Sequence, residues 1–409
     1  MKVGVGCGKA SDAFTAAQRM AWEATSNGNI TAPDYVLAFC NEAVDADRFL
    51  AGLTAVVGPG VPVIGGSALG VITNDMTCCE GHPACAAVVQ SQPVDFKVAY
   101  ADGLDEDPRA AGVVLSNRLS PYEDAKLLLT FYDSIRSAAT STTPPVLNPS
   151  GPLIDGLSEN PQGDCITLGA GLVGSCRLGA TRQFCLDQVR SQAAVGLLLG
   201  GPVHPYFRIC HGCTPLDGIY HRITRMQGDQ IYEIDHEPVL DVIDEACGSQ
   251  AWRQRRPVDA ITLGINCGGQ FEPPREANYV NRLITGVLPD GRGIGIFEPD
   301  LHEGAEVQFM LRDPEKMIES AQRNSVALIE QVLADRRTPV CGIYIDCAGR
   351  SAALSNTAVE EAALVQEAFN QHEIPLLGFY SGVEIAPLMG KSRGLDWTGV
   401  LIIIAEDER

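Results

Sequence analysis

Tyr35-Val36-Leu37-Ala38-Phe39-Cys40 is followed, after a polar break, by a periodic stretch at 45–57 and then by Val61-Pro62-Val63-Ile64-Gly65-Gly66-Ser67. The first run is almost continuously apolar, as a strand buried on both faces must be. In the second, Phe49, Leu50, Leu53, Val56 and Val57 recur at three and four, the period of a helix with one buried face. Gly58-Pro59-Gly60 ends that helix, and the third run reads as another buried strand. A strand, a helix and a strand within about 30 residues favour parallel pairing, because parallel neighbours need a crossover.

Two further units echo this one. Leu127-Leu128-Leu129-Thr130-Phe131-Tyr132 opens a looser copy that ends in glycine-broken sequence around 152–156. Val340-Cys341-Gly342-Ile343-Tyr344-Ile345 opens a clearer copy. Its helix is expected at 357–371, with Ala358, Ala362, Val365 and Phe369 on one face, and Ile374-Pro375-Leu376-Leu377-Gly378 returns as a strand. The returning strands of the first and third units share an xPxxG pattern. Each is followed by serine and glycine: Ser67 and Gly70, then Ser381 and Gly382. This predicts an internal repeat with glycine-rich loops at equivalent places.

Short β-like runs at 165–171, 182–189, 194–199 and 219–225 suggest antiparallel ribbons. A long helix is expected at 314–335, capped by Asp313 and started by Pro314, with Ile318, Ala321, Ser325, Ile329 and Val332 inward. Residues 137–145 carry no large apolar side chain and read as an exposed loop. Polar turn residues at 226–230 place a boundary there, giving halves 1–226 and 227–409. No linker-like run adjoins it, so the halves should pack closely. The expected fold is α/β, with mixed sheets flanked by helices in two closely packed halves.

The 409 residues include 30 basic and 51 acidic side chains, a net charge of −21. Such a surface repels phosphate backbones and anionic lipid, which argues against nucleic-acid and membrane partners. Six lysines occur, Lys2, Lys9, Lys97, Lys126, Lys316 and Lys391, so lysine chemistry has few candidates. No GxxxxGK[ST] phosphate loop is present. The fourteen cysteines are too sparse for a disulfide scaffold, and many sit in apolar runs, as Cys40, Cys165 and Cys341 do. With no apolar leader and no run long enough to cross a bilayer, a cytoplasmic protein is expected.

Three segments resemble the FIST family, whose members carry an N-terminal and a C-terminal FIST domain. The first comprises Gly4-Val5-Gly6-Cys7-Gly8, Pro33 to Phe39, and Pro62-Val63-Ile64-Gly65-Gly66-Ser67-Ala68-Leu69-Gly70. The second is Gly169-Ala170-Gly171-Leu172-Val173-Gly174 with Gly218-Ile219-Tyr220-His221-Arg222-Ile223-Thr224. The third, the most specific, is Asp346-Cys347-Ala348-Gly349-Arg350 with Gly378-Phe379-Tyr380-Ser381-Gly382-Val383-Glu384-Ile385-Ala386-Pro387. The resemblance implies an intracellular sensory module that binds a small ligand, an amino acid or related carboxylate. FIST domains are often fused to signalling outputs. Here few residues follow 401, so the expected output is a separate signalling protein. A homodimer is one arrangement that would serve it, and no cofactor is expected.

The residues offer several chemistries. Gly65, Gly66, Ser67 and Gly70, and Ser381 and Gly382, would expose backbone amides to a carboxylate at the carboxyl ends of strands. Arg350 would clamp that carboxylate, and Glu384 or Ser381 would contact an amine or hydroxyl. The competing reading is a structural Arg350–Glu384 ion pair with Cys347 packed beside it. A third makes Cys347 the nucleophile of a hydrolase or acyl transferase, activated by Arg350 and a helix N-terminus. A ligand-free interaction scaffold also stays open. Among the histidines, His211 beside Gly212 is the best candidate for a polar ligand contact. Cys78, Cys79, His82, Cys85, Cys210 and Cys213 form a weak alternative metal set whose spacing fits no common zinc pattern.

Overall fold

The apolar runs become the central strands of a computed structural model that describes residues 1–120, 122, 124–138, 145–159 and 165–408. Three strand–helix–strand units organise it, each with its two strands in parallel. The first is Tyr35–Cys40, helix Ala46–Val57 and Val63–Ser67. The second is Ala125–Asp133, helix Ser150–Leu157 and Ile166–Leu172. The third is Arg337–Cys347, helix Glu361–Gln371 and Leu376–Ser381. The repeat therefore has three members. Residues 152–156, read above as glycine-broken, lie in the second helix, where buried Leu153 and Ile154 outweigh the glycines. The run at 165–171 accordingly joins a parallel pair rather than a ribbon.

Each unit is widened by other strands into a six-stranded sheet. The first sheet runs Lys2–Lys9, Pro83–Gln90, Tyr35–Cys40, Val63–Ser67, Gln183–Leu186, Gln188–Arg190. The second runs Lys391–Leu395, Val383–Leu388, Ile166–Leu172, Ala125–Asp133, Ala193–Gly200, Asp95–Asp102. The third runs His204–Cys210, Gly399–Asp407, Arg337–Cys347, Leu376–Ser381, Val71–Thr73, Thr77–Cys78. Their inner faces share one core containing Leu37, Ile64, Leu129, Leu168, Ile345 and Ile402. One phenylalanine from each sheet meets at its centre: Phe39 stacks on Phe379 at 3.8 Å, and Phe131 meets them edge-on at 5.2 and 5.8 Å. Helices cover the outer faces, two per sheet.

The segment between the strands Thr214–Pro215 and Glu306–Leu311 builds a fourth sheet with helix Val239–Cys247. It has its own core around Ile223, Ile243, Leu263 and Phe309. Residues 226–230 include the turn of the hairpin between His221–Gln227 and Gln230–Ile234.

The early and late parts of the chain exchange strands. Val71–Thr73 pairs with Leu376–Ser381, and Val383–Leu388 pairs with Ile166–Leu172. These ladders tie the early and late parts of the chain together.

The helix Pro314–Ala334 is capped by Asp313, which accepts the Glu315 amide at 2.9 Å. Ala321, Ser325, Ile329 and Val332 are buried on it, but Met317 and Leu328 take the place expected for Ile318. Of the loop read at 137–145, Ser137 ends a short strand, and 139–144 lie outside the described residues. No helix among the described residues is long and apolar enough to cross a membrane.

Candidate functional site

The carboxyl ends of the three parallel pairs converge on one buried polar layer. Cys347 and Ser381 are partners in register at the ends of their strands. The Ser381 hydroxyl lies 2.8 Å from Glu384 Oε1 and 3.1 Å from the Asp346 carbonyl. Gly382 donates its amide to the Gly171 carbonyl of the second sheet at 2.8 Å. Leu69 and Gly70 exchange main-chain hydrogen bonds with Tyr380, which brings in the first unit.

Arg350 is the hub of this layer and is wholly buried. Its Nε donates to Asp346 Oδ1 at 3.0 Å, and Nη1 to the carbonyls of His211 and Trp397, both at 3.1 Å. Nη2 donates to Glu361 Oε1, which also accepts the Tyr344 hydroxyl at 2.6 Å. Four of the five guanidinium N–H donors are thus taken by the protein. Trp397 lies against Gly349, where an added Cβ would stand 2.0 Å from the indole ring, and Arg312 stacks on that ring at 3.5 Å. The Cys-Ala-Gly-Arg turn is therefore read by packing at Gly349 and by charge at Arg350.

The carboxyl groups outnumber their cations. Burial, reinforced by Glu361, pushes the Asp346 carboxyl well above its ordinary range. Burial likewise raises Glu361 and Glu384. Several polar atoms here have no hydrogen-bond partner among the described residues: Asp346 Oδ2, Glu361 Oε2, Asp396 Oδ1 and Trp397 Nε1. A buried polar atom left unpaired costs roughly 1–3 kcal/mol. After Arg350 the chain continues through the short helix Ala352–Ser355, whose Ala352 amide donates to Glu360 at 3.0 Å.

Family models match most of this chain: the FIST N domain over residues 34–237 and the FIST C domain over 240–387. The chain belongs to the FIST family. FIST domains are associated with sensory signal transduction and small-ligand binding. Uncharacterized proteins of Mycobacterium bovis and Mycobacterium tuberculosis are each 26% identical to it over 269 residues. The match covers 64% of this chain and 66% of theirs, a little under two thirds of the relatives' length. Among solved structures, a cyanuric acid hydrolase from A. caulinodans aligns over 100% of the FIST chain and 99% of its own, at 10% identity and TM-score 0.32. A chorismatase aligns over 99% of both chains at 9% identity and TM-score 0.31. Likeness at that distance says nothing about chemistry.

Of the site residues read from the FIST sequence, His211, Cys347, Arg350, Ser381, Gly382 and Glu384 come together, with Gly70 at the margin. Their roles differ from the expected ones. Arg350 pairs with Asp346 and Glu361 rather than Glu384, and has one N–H left for any carboxylate. Gly65 and Gly66 lie within a strand at φ +127° and +152°. A Cβ there would meet the Ala38 and Arg182 carbonyls at 2.1 and 2.2 Å. They permit close strand packing and do not cradle an anion. The Ser67 amide is likewise used, donating to the Arg182 carbonyl at 2.8 Å.

Both ring nitrogens of His211 in the FIST chain are engaged. Nδ1 accepts the Cys213 amide at 2.9 Å and Nε2 faces the Glu276 carbonyl at 2.9 Å, so the ring is a structural brace rather than a ligand contact. The nucleophile reading of Cys347 finds no support in its surroundings, where the thiol is buried. Burial, then Glu384, raise its thiol well above the ordinary value, the reverse of activation. The metal alternative fails on geometry. Among the described residues no three His, Cys, Asp or Glu side chains converge as ligands. Cys85 faces the core, Cys210 and Cys213 turn to the Gly399 and His211 carbonyls, and His82 is exposed.

Proposed function

We propose that the protein is a sensor for a small amine-bearing ligand, an amino acid or a relative, held in the buried layer around Arg350. The observation that carries this reading is the pair of carboxylate oxygens Asp346 Oδ2 and Glu361 Oε2, buried beside Arg350 without a partner among the described residues. Arg350 spends four of its five N–H donors on the protein, and three of the four unpartnered atoms of the layer are carboxyl oxygens, so the unfilled functions are chiefly acceptors. A ligand with N–H donors, an ammonium above all, complements them better than a carboxylate does. Gly382, Ser381 and Glu384 would border the same ligand. The segment 351–360 beyond Arg350 would move to admit it, and its exposed Leu354 and Val359 would report the change to a separate signalling protein.

Thermal unfolding of the whole protein against amino acids, simple amines and amine-free carboxylates tests this. A ligand at 100 times its Kd should stabilise by about 2.7 kcal/mol. Amines should shift the transition and carboxylates should not. Glu361→Gln keeps an oxygen for Arg350 and Tyr344 but replaces the free acceptor with a donor, so the folded variant should lose the amine response. Stabilisation by amine-free carboxylates alone, or an amine response untouched by both Glu361→Gln and Asp346→Asn, would sink the assignment.

A further inference from the structure

We infer that the open edge of the Lys2–Lys9 strand receives an extended basic segment of a partner protein by strand addition. Among the described residues this strand pairs only with Pro83–Gln90 and stands at the rim of its sheet. The Val5 carbonyl takes the Asn27 side-chain amide at 3.0 Å, so it turns away from that neighbour. An antiparallel ladder alternates, and Val3 and Cys7 therefore turn their N–H and C=O groups the same way. Exposed edges are normally blunted by proline, bulges or inward charges. From Val3 to Cys7 the sequence has no proline or charge, and the register with residues 85–89 is unbroken.

A groove of about 510 Å³ runs along this edge. Glu23 and Asn27 of the helix Ala13–Asn27 form one wall, and Asp75, Asn370 and Glu373 stand on the other. Three exposed carboxylates and no lysine or arginine line it, in a chain of net charge −21. Arg19 approaches Glu23 only at 3.8 Å. At about 3.3 Å per residue, five strand residues offer a track of roughly 16 Å, which suits a short extended peptide better than a compact metabolite. Main-chain hydrogen bonds to Val3 and Cys7, and to the Val5 carbonyl once the exposed Asn27 side chain gives way, would supply affinity, and the carboxylate walls would select alternate basic side chains. This surface is separate from the layer around Arg350 and does not depend on what binds there.

The test is fluorescence anisotropy of a labelled hexapeptide alternating lysine and valine, titrated with the full chain. Saturable binding is expected, weakened about tenfold by the double change Asp75→Lys and Glu373→Lys. Both sites are exposed, so the melting temperature should hold. Methylating alternate backbone nitrogens of the peptide should abolish binding at unchanged charge. Hydrogen exchange at Val3, Val5 and Cys7 should slow in the complex. Equal binding of the methylated peptide, unchanged exchange at those amides, or no saturable binding would each overturn the inference.

Discussion

Ser150 donates its hydroxyl to Glu298 at 2.8 Å, and its main-chain amide lies 3.2 Å from the same carboxylate, across 148 residues of sequence. Ser150 opens the helix Ser150–Leu157, which has no cap of its own from Pro149. A side chain from the fourth sheet's segment therefore caps a helix of the second sheet. Burial and then the nearby Asp396 push the Glu298 carboxyl up to about 8, and burial pushes Asp396 up to about 6. A carboxyl raised on folding keeps its proton where the unfolded chain has lost it. Stability should therefore fall as pH rises from about 4.5 to 8, by up to about 1.4 kcal/mol per pH unit from Glu298. Melting curves across this range should show the decline, and Glu298→Gln should flatten it.

Glu276 should behave in the opposite sense. Its carboxylate accepts the amides of His211 and Gly212, the Ser320 hydroxyl and the Arg323 guanidinium. Burial alone would raise it, but His211, Ser320 and those amides outweigh burial and hold it down to about 2. Its contribution is complete above pH 4.5 and lost as pH falls toward 2. Glu276→Gln should cost about 3 kcal/mol at neutral pH and blunt acid unfolding, as urea titrations at pH 7 and pH 3 would register.

Alkylation order discriminates a packed thiol from a catalytic one. Cys176 and Cys247 are exposed, whereas Cys347 is buried. Iodoacetamide at pH 7.5 should label Cys176 and Cys247 first and Cys347 among the last, as mass spectrometry of timed digests would reveal. Preferential early labelling of Cys347 would restore the thiol-enzyme reading.

Gly349→Ala should unseat Trp397. The new methyl would stand within the ring's van der Waals shell, and overpacking of this kind costs about 1–3 kcal/mol. Trp397 is buried while Trp22 is exposed, so a red shift in emission should accompany the loss of stability.

The fold was legible in sequence wherever hydrophobic periodicity was strong. The apolar runs at 35–40 and 340–345 and the three-and-four spacing at 45–57 each define their element within a few residues. The second unit was harder, because its helix is short and carries Gly151 and Gly156. At the candidate site, motif density around Cys347–Arg350 and Ser381–Glu384 pointed to residues that the structure brings together. It did not disclose the chemistry, since the partners of Arg350 come from distant elements. Glu361 offered one signal: a carboxylate preceding Ala362 and Val365 on the inward face of its helix. Asp346 offered another, as a charge closing an otherwise apolar strand. Glu276 and Glu298 offered none, because their importance arises from where the inserted sheet docks.

The strand exchange between early and late segments also bears on how the chain is made. Val71–Thr73 waits about 300 residues for Leu376–Ser381 to leave the ribosome, and Ile166–Leu172 waits about 200 for Val383–Leu388. At synthesis rates of about 5–20 residues per second, the first of these edges stays unmatched for roughly 15–60 s. Nascent molecules thus carry two adhesive β-margins through most of translation, and crowded polysomes would favour chaperone occupancy until the last strands arrive.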